Sequence, residues 1–147
     1  MSSSPRELVR VLFVDDEPAI RETCPALLRK HDFDVTSVGT VADALAEITS
    51  AQFDVLISDM NIGQPGDGFT VVKAMRSAQP NCVTLVLTGY PAAETALLAV
   101  RYQVDDDLVD GIVSKGEGSE TLLAKVDHLI ARKASLISIE EPPSSES

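Results

Sequence analysis

Five short runs of apolar, strand-favouring residues recur along the chain: VRVLFV (9–14), FDVTSV (33–38), DVLIS (54–58), CVTLVLT (82–88) and GIVS (111–114). Longer stretches of helical spacing separate them, and this alternation narrows the fold more than any other feature. Strands that are hydrophobic nearly throughout need burial on both faces, which helices on each side of a parallel sheet provide. The helical stretches carry start signals. Thr40 is placed to cap a helix with Val41, Leu45 and Ile48 on one face. Pro91 suits the first turn of a helix carrying Ala93, Leu97, Val100 and Val104, and Ser119 is placed to cap one carrying Leu122, Val126, Leu129 and Ile130. Pro25 breaks the pattern: inside the first predicted helix it removes a hydrogen bond to the Arg21 carbonyl, at ~3 kcal/mol or a kink.

A chain of 147 residues, 44% of them hydrophobic, suits one domain with one core. The net charge of −11, with only 12 scattered Lys and Arg, excludes a nucleic-acid surface, because phosphate contacts need clustered cations. The opening MSSSPRELVR has no apolar secretory core, and no run approaches the ~18 apolar residues of a membrane span. A cytoplasmic location with no membrane contact is expected. Cys24 and Cys82 are far apart, with no C-x-x-C and no His at ligand spacing, and read as buried, reduced small hydrophobes. His31 and His128 read as helix-surface residues, and Asp105, Asp106 and Asp107 as a solvated loop. Residues 1–6 read as a flexible arm and 134–147 as a disordered tail or linker, so the domain spans 7–133.

The chemistry gathers at the strand ends. In a parallel sheet every strand's carboxyl end reaches the same edge, where ligands bind. Asp15 and Asp16 follow the first run, Asp59 the third, Thr88 the fourth and Lys115 the fifth. Three consecutive acids, Asp15, Asp16 and Glu17, repel one another, and a simple turn does not need them. Magnesium takes oxygen ligands, typically one or two carboxylates plus a phosphate oxygen, and Asp15 or Asp16 with Asp59 would supply the acids. A carboxylate can also attack phosphorus when cations neutralise the transferring group, a role open to Mg²⁺ and Lys115. The Thr88 hydroxyl can then bond the new phosphoryl oxygens and report the modification.

With VLFVDDEP, DVLISDMNIGQPGDGF, TLVLTGY and DGIVSKG in this order, the chain resembles the receiver domains of two-component response regulators over about residues 7–133. The resemblance implies a flavodoxin-like α/β fold: a doubly wound, five-stranded parallel sheet in order 2-1-3-4-5 with helices on both faces. It implies Asp59 as phosphoacceptor, with Asp15, Asp16, Asp59 and the Asn61 main-chain carbonyl binding Mg²⁺, or alternatively Mn²⁺. Thr88 and Lys115 take the phosphoryl contacts, while Tyr90 and Asn61 flank the path of the hydrolytic water. The implied function is a signalling switch, not a turnover enzyme, phosphorylated by a histidine kinase or a histidine phosphotransfer protein. The alternative is a pseudoreceiver that binds proteins without being phosphorylated.

Four departures from the family pattern stand out. The loop 60–68 has about one extra residue, so its backbone is expected to shift beside the metal. Gly116 replaces the usual Pro after Lys115, and the cis peptide often found there is not expected. Ile112 stands where an aromatic switch residue is common, which removes the usual coupling to Thr88. The segment 102–111 is longer than the usual link and lacks its Gly-Ala turn.

Overall fold

The computed structural model describes residues 8–64, 66–89, 96, 100 and 109–140, and of 119 and 136–140 the backbone alone. Five strands, β1 (Val9–Val14), β2 (Phe33–Val38), β3 (Val55–Asp59), β4 (Val83–Thr88) and β5 (Gly111–Ser114), form one parallel sheet in the order β2-β1-β3-β4-β5. Four described helices complete it: α1 (Pro18–Lys30), α2 (Val41–Ser50), α3 (Asp67–Ala78) and α4 (Ser119–Glu140), with a 3-10 turn at Lys115–Glu117. The predicted fold class is the one observed. Of the helix expected from Pro91 only residues 96 and 100 are described, both helical, with Val100 77% exposed, while Tyr90, 101–108 and the arm 1–6 lie outside the described residues.

Each strand sends alternate side chains to opposite faces, which explains the continuous apolar runs. Val11, Phe13, Val55, Ile57, Leu85 and Leu87 pack with Cys24 and Leu28 of α1 and with Leu122, Val126 and Leu129 of α4. Leu12, Val14, Leu56 and Val86 pack on the other face with Ala44 and Ile48 of α2 and with Phe69, Val72 and Met75 of α3. Both cysteines are buried and free, and burial pushes the Cys82 thiol up to about 12, which leaves it unreactive. Gln79, just after α3, is a buried polar tie. Its amide donates to the carbonyls of Ile48 (3.0 Å) and Ala51 (2.7 Å) and accepts from the Phe53 N–H at 2.8 Å.

The helix starts follow the sequence signals, with one shift. Thr40 accepts from the Asp43 N–H at 3.0 Å, as expected of a cap. α4 begins at Ser119, and the carbonyl of Gly118 accepts from the Leu122 N–H, so Gly118 takes the capping position expected of Ser119. α1 runs through Pro25, whose ring is buried. The expected disordered tail is corrected for 134–140, where α4 continues to Glu140. The physical reason is that no Gly or Pro interrupts 119–140, and loss of apolar period does not by itself end a helix. Residues 141–147 lie outside the described residues.

Candidate functional site

The carboxyl ends of β1, β3, β4 and β5 bring the expected residues to one edge. Asp15 follows β1 and is fully buried, held in line by a hydrogen bond from its N–H to the Val38 carbonyl at 3.1 Å. The Arg21 guanidinium donates to the Asp15 carbonyl at 2.7 Å, and the Glu17 N–H donates to Asp15 Oδ1 at 2.9 Å. Asp59 closes β3 and is 5% exposed. Thr88 closes β4, buried, with its hydroxyl 3.9 Å from Met60 Sδ.

Lys115, immediately after β5, links the acids. Its ammonium lies 3.2 Å from Asp59 Oδ2, 3.3 Å from Asp15 Oδ2 and 2.8 Å from Glu17 Oε1. All described peptide bonds are trans, and the Ser114 hydroxyl accepts from the Gly116 N–H at 3.3 Å, forming the turn that carries the lysine.

The loop 60–68 is built around the same edge. Gly63 and Gly66 adopt φ of 89° and 85°, which side-chain-bearing residues rarely do. The Gly63 N–H donates to Asp16 Oδ2 at 3.1 Å, and the Gly66 N–H donates to Asn61 Oδ1 at 3.1 Å. At Gly68 the first turn of α3 rests on backbone: a Cβ there would collide with the Asp59 carbonyl oxygen and stand 2.8 Å from the Met60 Cα.

The structure therefore brings Asp15, Asp59 and Lys115 together, with Thr88 at the adjacent strand end. It does not bring Asp16 into that group, because Asp16 turns to the loop. Glu17 joins instead: oxygens of Asp15, Glu17 and Asp59 all lie within 4.8 Å of one another. Sequence reasoning missed this role, since an acid before Pro18 reads as a helix cap. Ile112 is 46% exposed, on β5, whereas Tyr90 lies outside the described residues.

The electrostatics follow from burial and crowding. Burial, and then the charge of Asp15, raise the Asp59 carboxyl to about 6, against the opposing pull of Lys115. Burial works against the Lys115 ammonium, but the hydrogen bond to Glu17 and the charges of Asp59 and Asp15 outweigh it and hold the group above its ordinary value. The hydrogen bond from Lys115 lowers Glu17. Asp15 Oδ2 is buried and makes no hydrogen bond, its contact being the ion pair at 3.3 Å. Three carboxylates around the Lys115 ammonium, one oxygen short of a hydrogen-bond donor, form a set that a divalent cation of oxygen preference fits.

A doubly wound sheet with acids from two strand ends and a lysine from a third defines an α/β protein with a polar site at the carboxyl edge. Residues 11–127 match the response regulator receiver domain, and the chain belongs to that family. It is 31% identical over 119 residues to the photosynthetic apparatus regulatory protein RegA of Cereibacter sphaeroides, covering 81% of this chain and 63% of RegA. The chain thus spans less than two thirds of the length of that relative. Among solved structures, a response regulator receiver protein from Sinorhizobium medicae superposes with a TM-score of 0.73 at 29% identity, covering 86% of this chain and 98% of the other. The chemotaxis response regulator CheY4 of Vibrio cholerae gives 0.71 at 30% identity, covering 84% and 99%.

Proposed function

We propose that the chain is a phosphorylation-dependent switch in which Asp59 accepts a phosphoryl group from a histidine kinase or a histidine phosphotransfer protein. The observation that carries this reading is the convergence of Asp15, Asp59 and Lys115 from three strand ends within 3.3 Å contacts. In the transfer, an Asp59 carboxylate oxygen forms the new P–O bond while the bond from phosphorus to the donor nitrogen breaks. Lys115 offsets the charge on the transferring oxygens, and the Thr88 hydroxyl donates to one of them once it is placed on Asp59. A bound Mg²⁺ would supply further positive charge there. Asp15, Asp16, Asp59 and the Asn61 main-chain carbonyl would hold the ion, and Asp16 Oδ2 also accepts from the Gly63 N–H of that carbonyl's loop. Mn²⁺ satisfies the same oxygen donors.

The raised carboxyl of Asp59 bears on the attack. It attacks only as the carboxylate, and in the metal-free protein the proton is held up to about pH 6, so a cation bound beside it would also favour the attacking form. The pseudoreceiver alternative has no use for a lysine held on two buried acids, and we set it aside. We propose a cytoplasmic location and, on the net charge of −11, no nucleic-acid contact by this chain. Among the described residues no helix is long and apolar enough to cross a membrane.

The test is intact mass after incubation with Mg²⁺ and acetyl phosphate. The parent gains one labile phosphoryl group, Asp59→Asn gains none, and Asp43→Asn, in the first turn of α2, labels like the parent. Equal labelling of the Asp59 and Asp43 variants refutes the assignment.

A further inference from the structure

Glu17 is used unusually for its position. It precedes the first turn of α1, where a carboxylate ordinarily accepts backbone N–H groups, yet its side chain makes no capping bond. Its Oε1 instead accepts from Lys115 Nζ, 98 residues away in sequence. At 2.8 Å this is the shortest of the three contacts that the ammonium makes with carboxylates. Asp15 and Asp59 are buried, whereas the Glu17 side chain is 60% exposed. Lys115 is therefore strung between two buried acids and one acid at the rim.

The two buried oxygens that face Lys115 belong to the acids that would hold a divalent cation in the function proposed above, and this inference rests on that reading. Lys115 cannot keep both contacts unchanged once a second cation shares those oxygens, because like charges within a few ångströms repel strongly in a buried site. Glu17, at the exposed rim, is not among the ligands assigned to the cation above, so its contact with Lys115 is the one left to the lysine. We propose that Glu17 is a positioning residue for Lys115: it retains the ammonium at the rim when Asp15 and Asp59 turn to a divalent cation, and so governs how tightly that cation binds.

Two other roles would make Glu17 matter for binding: direct ligation of the ion, and the general field of its charge. They separate in calorimetric titrations of Mg²⁺. Glu17→Gln is expected to raise the dissociation constant about threefold, the scale of a partly exposed ion pair. Glu17→Asp keeps the charge but is one methylene shorter and loses the short contact, so it is expected to show most of the same loss. With Lys115→Gln there is no ammonium to retain, and adding Glu17→Gln then changes the constant by clearly less than threefold. A Glu17→Asp variant that binds like the parent overturns the proposal in favour of a field effect. Equal losses from Glu17→Gln in both backgrounds overturn it in favour of ligation. If far-ultraviolet circular dichroism shows that Lys115→Gln does not fold, the Glu17→Asp comparison decides alone. A parent that binds no Mg²⁺ refutes the metal-dependent reading itself, and the proposal with it.

Discussion

Replacing Asp59 with Asn is expected to stabilise the metal-free protein at alkaline pH. Asn mimics the protonated carboxyl in size and polarity, so the substitution removes the cost of keeping a charge in this buried, acid-flanked position. Asp59 rises from 3.8 to about 6 on folding, and a displacement of roughly two units corresponds to ~3 kcal/mol once both states are ionised. For a domain of this size that amounts to a rise in thermal midpoint of about 10 °C. The sign of the pH dependence follows from proton counts. Because the folded carboxyl titrates above the unfolded one, the folded state holds more protons between pH ~4 and ~6, so the parent loses stability as pH climbs through that window. The advantage of Asp59→Asn should therefore be complete at pH 8, about half as large at pH 5, and nearly gone by about pH 3. Urea and thermal melts in EDTA at pH 5 and pH 8 measure it. A variant less stable than the parent at pH 8, or a gain that does not change with pH, would refute the reasoning that burial and Asp15 strain this carboxylate.

At a hundredfold excess over its dissociation constant, Mg²⁺ should stabilise the parent by ~2.7 kcal/mol. Asp15→Asn and Asp16→Asn should each lose most of that gain; paired melts with EDTA and with Mg²⁺ decide. In the metal-free protein in EDTA, the Asp59 carboxyl carbon followed by NMR should titrate at about 6, and a midpoint near the ordinary carboxylate value would contradict the burial argument. Gly68→Ala should cost about 1–3 kcal/mol, because the added methyl meets the backbone of Asp59 and Met60 and not a side chain that could move aside. An unchanged urea midpoint for that variant would mean that α3 is free to retreat from β3.

The sheet was legible because burial on both faces leaves a strong signature: runs such as VLFV and VLIS have no polar face to alternate with. The site was legible for a related reason. A parallel sheet delivers every strand's carboxyl end to one edge, so polar residues at the ends of β1, β3, β4 and β5 could be expected to meet there. What stayed hidden depends on side-chain direction across long separations. Asp15 and Asp16 are adjacent and chemically alike, yet one turns into the edge and the other to Gly63, and composition does not distinguish them. Glu17 carried the signal of a helix cap, and its partner lies 98 residues away. The final helix runs past the point where its apolar period fades, because no Gly or Pro interrupts the backbone through Glu140.

Gln79 has a consequence for mechanics. Its amide joins the end of α2, the chain entering β3 and the end of α3 by three hydrogen bonds in a buried setting, and sliding one of these segments past another would strand buried donors and acceptors, each costing about 1–3 kcal/mol. That flank therefore behaves as a rigid chassis. A displacement of β3 is passed to α2 and α3 together, as one body, and is not absorbed by slippage between them.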